Sequence, residues 1–252
     1  MNSLSYTKEQ ILDAIKEACK TAVEQNTRIL FLPNEINDKN FRQVCEVYAS
    51  IYPHNFDTIV ILEGVDRELK KGICIPDLES FKTPFGSVPV NTRLADDFCD
   101  EEDDFYITNE SYHEGLSLFQ QLQMLQVVQS GYSVVSIQVS NQESSSILRE
   151  LSIVMSDVLT AYNSLTICCC DMHIDQKDKL DLLMNYHVAR DTSNLKYLIN
   201  QEDVLVHGKS PLLTGMLLAQ IWDLDIQFLD GTYSTTDGNS LIAGYAVNKR
   251  GL

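Results

Sequence analysis

The chain has 252 residues, of which 44% are hydrophobic and 22% charged, a composition typical of soluble globular proteins, and its formal net charge is −17. This acidic excess argues against nucleic-acid and anionic membrane partners, because phosphate groups would repel the protein. No apolar run approaches the roughly 20 residues needed to span a bilayer, and the first residues lack the basic and apolar regions of a signal peptide, so we expect a cytoplasmic protein.

Helical and extended patterns alternate along the chain. Segment 7–25 places Ile11 and Ile15 on one helical stripe, and Thr7 with Gln10 is a candidate capping box. Further helices are predicted near 38–52, 116–130, 143–160, 175–187, 192–200 and 210–222. Apolar strands are predicted at 28–33, 57–63, 133–139, 164–170, 225–230 and 241–247. Such alternation indicates an α/β fold with a mostly parallel central sheet covered by helices on both faces.

The stretch "ICCCDMHID" (167–175) has the composition of a metal site. Successive side chains of a strand point to opposite faces, so Cys168 and Cys170 would face one way and Cys169 the other. Three consecutive strand residues cannot converge on one metal ion. We therefore predict that these cysteines lie in a buried strand and bind no metal. The seven cysteines have no CxxC pair, so we expect reduced thiols.

Two further features lie outside the predicted strands and helices. The acidic run "DDFCDEEDDF" (96–105) predicts a solvated loop, with cation capture as the alternative. His113 follows this run, where it either caps the helix near 116–130 or lines a cleft.

There is no HExxH, GxSxG or P-loop pattern, so nucleophilic catalysis has no support from the sequence.

Several separated segments carry recognisable motifs. "TPFGSVPVN" (83–91) is similar to Thr-Pro-Leu-Gly-x-Val-x-Val-Asp, and "LSLFQQLQMLQ" (116–126) resembles His-Ser-Leu-Glu-x-Gln-Leu-Pro-Phe-Leu-Gln. "HGKSPLLTGMLLAQI" (207–221) looks like Cys-Gly-x-x-Pro-Ile followed by an apolar helix. In this order the motifs resemble those of the Memo family, including the Memo-like proteins B of the AmmeMemoRadiSam group. The resemblance extends from about residue 28 to residue 247.

The resemblance implies one three-layer α/β/α domain over residues 1–252, related in fold to the class III extradiol dioxygenases. Some members of that family bind a redox metal through two histidines and a cysteine. At those positions this chain has Asn34, Asp66 and Asp237. In the motif Ser-Ser-Asp-x-x-His the carboxylate is retained as Asp171, but Ile174 occupies the histidine position and His173 comes one residue early.

These substitutions leave a pocket without the family's metal ligands. Its expected lining is Asn34, Asp66, Asp171 and Asp237, joined by His113 or His173. Oxygen donors of this kind do not hold iron(II) or copper tightly at neutral pH, so we expect no cofactor, with weakly bound Mg²⁺ or Ca²⁺ as an alternative. The resemblance thus implies a binding or regulatory protein with a protein or small-molecule partner. The rival function is a metal-dependent, dioxygenase-like oxidoreductase with a non-standard ligand set.

Overall fold

The computed structural model describes residues 3–19, 26–67, 69–70, 72–101, 104–113, 116–229, 233–235, 238–240 and 243–248. Its helices are α1 (Lys8–Cys19), α2 (Phe41–Ala49), α3 (Thr92–Glu101), α4 (Leu118–Val128), α5 (Ser145–Leu159), α6 (Lys177–Val188), α7 (Thr192–Ile199) and α8 (Lys209–Ile221). None of the helices in these ranges is long and apolar enough to cross a membrane.

The strands are β1 (Thr27–Leu32), β2 (Thr58–Val65), β3 (Ile73–Ile75), β4 (Ser80–Thr83), β5 (Gly86–Pro89), β6 (Phe105–Ile107), β7 (Ser133–Ser140), β8 (Ser164–Cys169), β9 (Asp171–Met172), β10 (Val206–His207), β11 (Leu224–Phe228), β12 (Tyr233–Thr235), β13 (Gly238–Ser240) and β14 (Gly244–Asn248). The six predicted strands are therefore confirmed as β1, β2, β7, β8, β11 and β14.

Eight of these strands form one sheet in the order β11-β14-β1-β8-β2-β7-β3-β6. The central strands β1, β8, β2 and β7 are parallel, as is the pair β3 and β6. β14 runs antiparallel to both β1 and β11, and β3 runs antiparallel to β7. The prediction of a mostly parallel central sheet is confirmed, and helices cover both of its faces in a three-layer α/β/α arrangement.

Both faces of the central strands are buried, and their apolar residues are not confined to alternate positions, as is typical of parallel sheets covered on both faces. On β2, Leu62 faces a core that includes side chains of α5 and α8, whereas Ile61 faces a second core that includes side chains of α1, α2 and α4. The cysteines at the end of β8 and directly after it divide in the same way. Cys168 and Cys170 belong to the first core and Cys169 to the second, and all three are 0% exposed. The predicted buried strand is confirmed.

The predicted capping box at the start of α1 is also confirmed. The backbone N–H of Thr7 donates to Oε1 of Gln10 at 2.8 Å, and the backbone N–H of Gln10 donates to Oγ1 of Thr7 at 3.3 Å. This reciprocal pair satisfies two N–H groups that the first turn of a helix leaves without an intrahelical partner.

The prediction of a solvated loop at 96–105 is wrong for its first half, which belongs to α3. Leu94, Ala95 and Phe98 recur at helical spacing and are buried, so the acidic side chains between them occupy the outer face of an amphipathic helix. Phe98 also stacks on Phe105 of β6, with ring centroids 5.4 Å apart. The prediction rested on the dense charges of the run and overlooked the helical spacing of these three apolar residues.

Candidate functional site

The ends of β1 and β8 bring two of the predicted site residues into direct contact. Both the backbone N–H and the Nδ2 amide of Asn34 donate to Oδ2 of Asp171, each at 2.9 Å. The two strands lie side by side, and the backbone N–H of Cys170 donates to the carbonyl of Leu32 at 2.8 Å. Asn34 follows Leu32 by two residues and Asp171 follows Cys170 directly, so both are held at the carboxyl edge of the sheet, where ligands bind in α/β folds.

A histidine that the sequence analysis did not select joins this pair. His207 lies in β10, directly opposite Asp171 of β9, and its carbonyl accepts a hydrogen bond from Nδ2 of Asn34 at 3.4 Å. Its ring Nε2 lies 3.1 Å from Oδ2 of Asp66, and the two side chains are 54% and 66% exposed. His207 therefore connects Asp66 to the Asn34–Asp171 pair.

One signal in the sequence pointed to His207. It is the first residue of "HGKSPLLTGMLLAQI", and the corresponding residue of the Cys-Gly-x-x-Pro-Ile motif is a cysteine. A histidine in place of a cysteine retains a group that can ligate a metal or transfer a proton.

Asp66 is positioned by the loop that follows β7. Nδ2 of Asn141 donates to Oδ1 of Asp66 at 2.7 Å, and Oδ1 of Asn141 accepts from the backbone N–H of Ser210 in the first turn of α8 at 3.4 Å. This approach requires glycine at position 64, because a Cβ atom there would lie 2.3 Å from Oδ1 of Asn141. Asn141 thus ties the end of β2 to the start of α8.

The position of His207 depends on the glycine that follows it. Gly208 has φ +75° and precedes α8. A Cβ atom there would lie 2.3 Å from the carbonyl oxygen of Cys169. The backbone of residue 208 therefore packs directly on the end of β8, in a conformation that residues with a Cβ atom rarely adopt.

Beneath Asn34 lies the buried N-terminus of α4. The Oγ of Ser117 donates to Oδ1 of Asn34 at 3.4 Å, and Nε2 of Gln121 donates to the carbonyl of Pro33 at 3.1 Å. Leu118, the first residue of α4, donates its backbone N–H to Oε1 of Glu63 at 2.9 Å. Burial raises the pKa of Glu63 to about 7, although hydrogen bonds to its carboxylate act in the opposite direction.

The remaining predicted residues have different positions. His173 contacts Asp175, with Nδ1 and Oδ2 3.3 Å apart. His113 is exposed in the segment between β6 and α4, and its carbonyl accepts from the backbone N–H of Leu116 at 3.3 Å. Asp237 lies outside the described residues.

The described residues of the cluster do not supply the two histidines and the cysteine that the family resemblance implies for a redox metal. Among the described residues, no three His, Cys, Asp or Glu side chains are grouped so that they could hold a metal ion. Within the cluster of Asn34, Asp66, Asp171 and His207, the one imidazole contacts a carboxylate, and the Asn34 amide donates its protons to another. Asn34 would have to ligate a metal through Oδ1, and that oxygen accepts the hydrogen bond from Oγ of Ser117 at 3.4 Å.

The comparisons with known proteins agree with this fold. The chain matches the family model described as "Memo-like protein" over residues 5–235. It is similar in structure to an uncharacterized protein, JW3007, from Escherichia coli K12, with a TM-score of 0.57 and 10% identity over 88% of this chain and 100% of that one. At that identity the likeness shows the fold alone. No curated protein matches the chain by sequence. The family match covers most of the chain, including the strand ends that carry Asn34, Asp66, Asp171 and His207, and the chain therefore belongs to the Memo-like protein family.

Proposed function

We propose that this Memo-like protein is a binding or regulatory protein whose ancestral redox-metal site is altered. The observation that carries this proposal is the hydrogen bonding of Asn34. Its backbone and side-chain amides both donate to Asp171, so the residue at a family metal-ligand position serves to hold two strand ends together. To hold a redox metal, this position would need an imidazole or thiolate ligand instead of the Asn34 amide.

The chemistry of the cluster favours a particular kind of ligand. The Asp66 carboxylate and the His207 ring are more than half exposed at the carboxyl edge, and the protein as a whole carries a net charge of −17. We therefore propose a protein or small-molecule ligand that presents cationic or hydrogen-bond-donating groups, since an anionic ligand would be repelled.

Metal analysis of the full chain, purified without added metal, separates this proposal from its rival. We expect iron and copper well below one equivalent per chain. The rival function, a metal-dependent oxidoreductase, is favoured by the imidazole of His207 beside Asp66. It predicts stoichiometric iron or copper that is lost in a His207→Ala variant, and that result would overturn the proposal.

A second experiment tests whether the site binds a hard cation. If Mg²⁺ or Ca²⁺ binds weakly to the oxygen donors, either ion should raise the melting temperature, because binding to the folded state alone stabilises it. Asp66→Ala should then abolish the shift, whereas Asp96→Ala, which removes an exposed carboxylate of α3, should leave it unchanged. If the cations raise the melting temperature equally in the unmodified chain, Asp66→Ala and Asp96→Ala, the effect is general screening of the acidic surface.

A further inference from the structure

A buried carboxyl group, Glu63, is linked through Ser117 to the cluster of Asn34, Asp66, Asp171 and His207, which we call the binding surface. Glu63 is the sixth residue of β2 and is 2% exposed, while the residues on either side of it along the strand are the apolar Leu62 and the small Gly64. Burying a carboxyl group is unfavourable unless hydrogen bonds compensate for the lost water, so its neighbours decide its role.

The neighbours of Glu63 are hydrogen-bond donors. The backbone N–H groups of Ser117 and Leu118 reach it from the start of α4, and the side chains of Ser136 and Gln138 reach it from β7. This arrangement suits an ionised carboxylate, which accepts hydrogen bonds at both oxygens and interacts favourably with a helix N-terminus. A protonated carboxyl has to find an acceptor, and these four groups offer only the Ser136 hydroxyl and Oε1 of Gln138, which already accepts from Oγ of Ser111 at 3.0 Å.

Ser117 connects this carboxyl to the surface. Its backbone N–H donates to Glu63, and its hydroxyl donates to Oδ1 of Asn34 at 3.4 Å. Asn34 in turn donates twice to Asp171. When Glu63 is neutral, its oxygens accept hydrogen bonds about half as strongly. The first turn of α4 is then held less firmly, and the Ser117–Asn34 contact weakens with it.

We propose that Glu63 is a positioning residue for the binding surface: its ionised form fixes the first turn of α4 and, through Ser117, the side chain of Asn34, so that binding at Asn34 and Asp171 is coupled to a proton on Glu63. The inference rests on the proposed function only in taking the cluster of Asn34, Asp66, Asp171 and His207 as the binding surface. The raised pKa of Glu63 places this proton exchange near neutral pH.

Two buried titratable groups on the same face of the sheet, Cys169 and Tyr48, do not replace Glu63 in this role. Cys169 of β8 is opposite Glu63 in the strand register, and Tyr48 of α2 interacts with Cys169. Burial raises the pKa of both groups well above its ordinary value, so both are neutral throughout the relevant range. Asp171, two residues beyond Cys169, belongs to the binding surface itself.

The coupling can be measured without knowing the ligand. In ¹H–¹⁵N spectra of the full chain, recorded from about pH 5.5 to about pH 8.5, the amides of Ser117, Leu118 and Asn34 should shift with one shared midpoint near 7. In Glu63→Gln these shifts should disappear. His207→Ala should retain them, because the imidazole that contacts Asp66 is not their source.

Ser117→Ala keeps the proposal testable even if Glu63→Gln does not fold. In this variant the amide of Leu118 should still titrate, whereas that of Asn34 should not. Titration of Asn34 in Ser117→Ala, or its absence in the unmodified chain, would overturn the coupling and leave the proposed binding function untouched. A protein with stoichiometric redox metal but normal coupling would overturn the proposed function alone.

Discussion

Glu63 illustrates what a single polar residue does inside an otherwise apolar strand. Its neighbours on β2 and β8 are almost all apolar. The carboxylate is accommodated because α4 begins beside it, and the first backbone N–H groups of that helix, which have no intrahelical partner, donate to it. The hydrogen bonds do not fully offset desolvation, since the pKa remains raised to about 7. One residue therefore makes the stability of the protein depend on pH.

The direction of this dependence follows from the raised pKa. The folded protein binds the Glu63 proton more tightly than the unfolded chain does, because the pKa is about 7 against an ordinary 4.5. The stabilisation is full below the unfolded pKa and is lost as the pH rises through the folded pKa. At about 1.4 kcal/mol per tenfold difference in proton affinity, the loss should be about 3 kcal/mol.

Urea unfolding at about pH 5 and about pH 8 measures this loss. Glu63→Gln should reduce the difference in unfolding free energy between the two pH values by about 3 kcal/mol. Glu79→Gln, which removes an exposed carboxylate, should retain the full difference. An identical pH dependence in the unmodified chain and Glu63→Gln would show that the buried carboxyl does not titrate in this range.

At the scale of secondary-structure elements, the junction of β10 and α8 determines the site. α8 is almost wholly buried and packs against β1, β2 and β8 on one face of the sheet. Its first turn contacts Asn141, which holds Asp66, while the residue before Gly208 is His207. Because β10 pairs with β9, the start of this helix fixes the cluster from two directions.

Gly208→Ala should disturb this junction. The new Cβ atom would lie 2.3 Å from the Cys169 carbonyl, and the backbone would keep a φ of +75°. Gly131→Ala is a matched control, because residue 131 has φ +71° but open space around its Cβ position. Both variants should lose about 1–2 kcal/mol from the left-handed backbone.

The steric overlap should cost Gly208→Ala about 1–3 kcal/mol more than the control, as measured by chemical denaturation. The ring resonances of His207 should move in this variant and stay in place in Gly131→Ala. Equal losses in the two variants would mean that the end of β8 can move away from α8 without cost.

At the scale of the whole molecule, the cysteine run reports on global stability. β8 is the fourth strand of the eight in the sheet order, with β1 and β2 as its neighbours. Cys168, Cys169 and Cys170 are 0% exposed, and burial raises the pKa of each thiol well above its ordinary value. A neutral, inaccessible thiol does not react, so modification requires that the central sheet open.

Thiol labelling should therefore occur in two phases. Cys19 and Cys99, which are partly exposed, should react first in the folded protein. The three cysteines of the run should react only through global unfolding, and the urea dependence of their labelling should match that of equilibrium unfolding. Rapid labelling of all three in the folded state would contradict the buried strand.

The predictability of the site differs between its residues. Asn34, Asp66 and Asp171 were predicted from the family resemblance, and each also follows an apolar strand, where the ends of parallel strands share one edge of the sheet. His207 was missed because it follows no long strand: β10 has two residues and exists only by pairing with β9. The acidic run was misjudged because its charges were more conspicuous than the three apolar residues that bury one face of α3.

The sequence by itself determined most of the local features: seven of the eight described helices, the six apolar strands, the alternation of the cysteines and the capping box at Thr7. These depend on side-chain periods of a few residues and on contacts between near neighbours, which can be read from the order of the residues. Only the tertiary structure decided that His207 meets Asp66, 141 residues away, and that Ser117 lies between Glu63 and Asn34. Such contacts arise from strand order and helix packing, which depend on the simultaneous burial of all the elements rather than on any one segment.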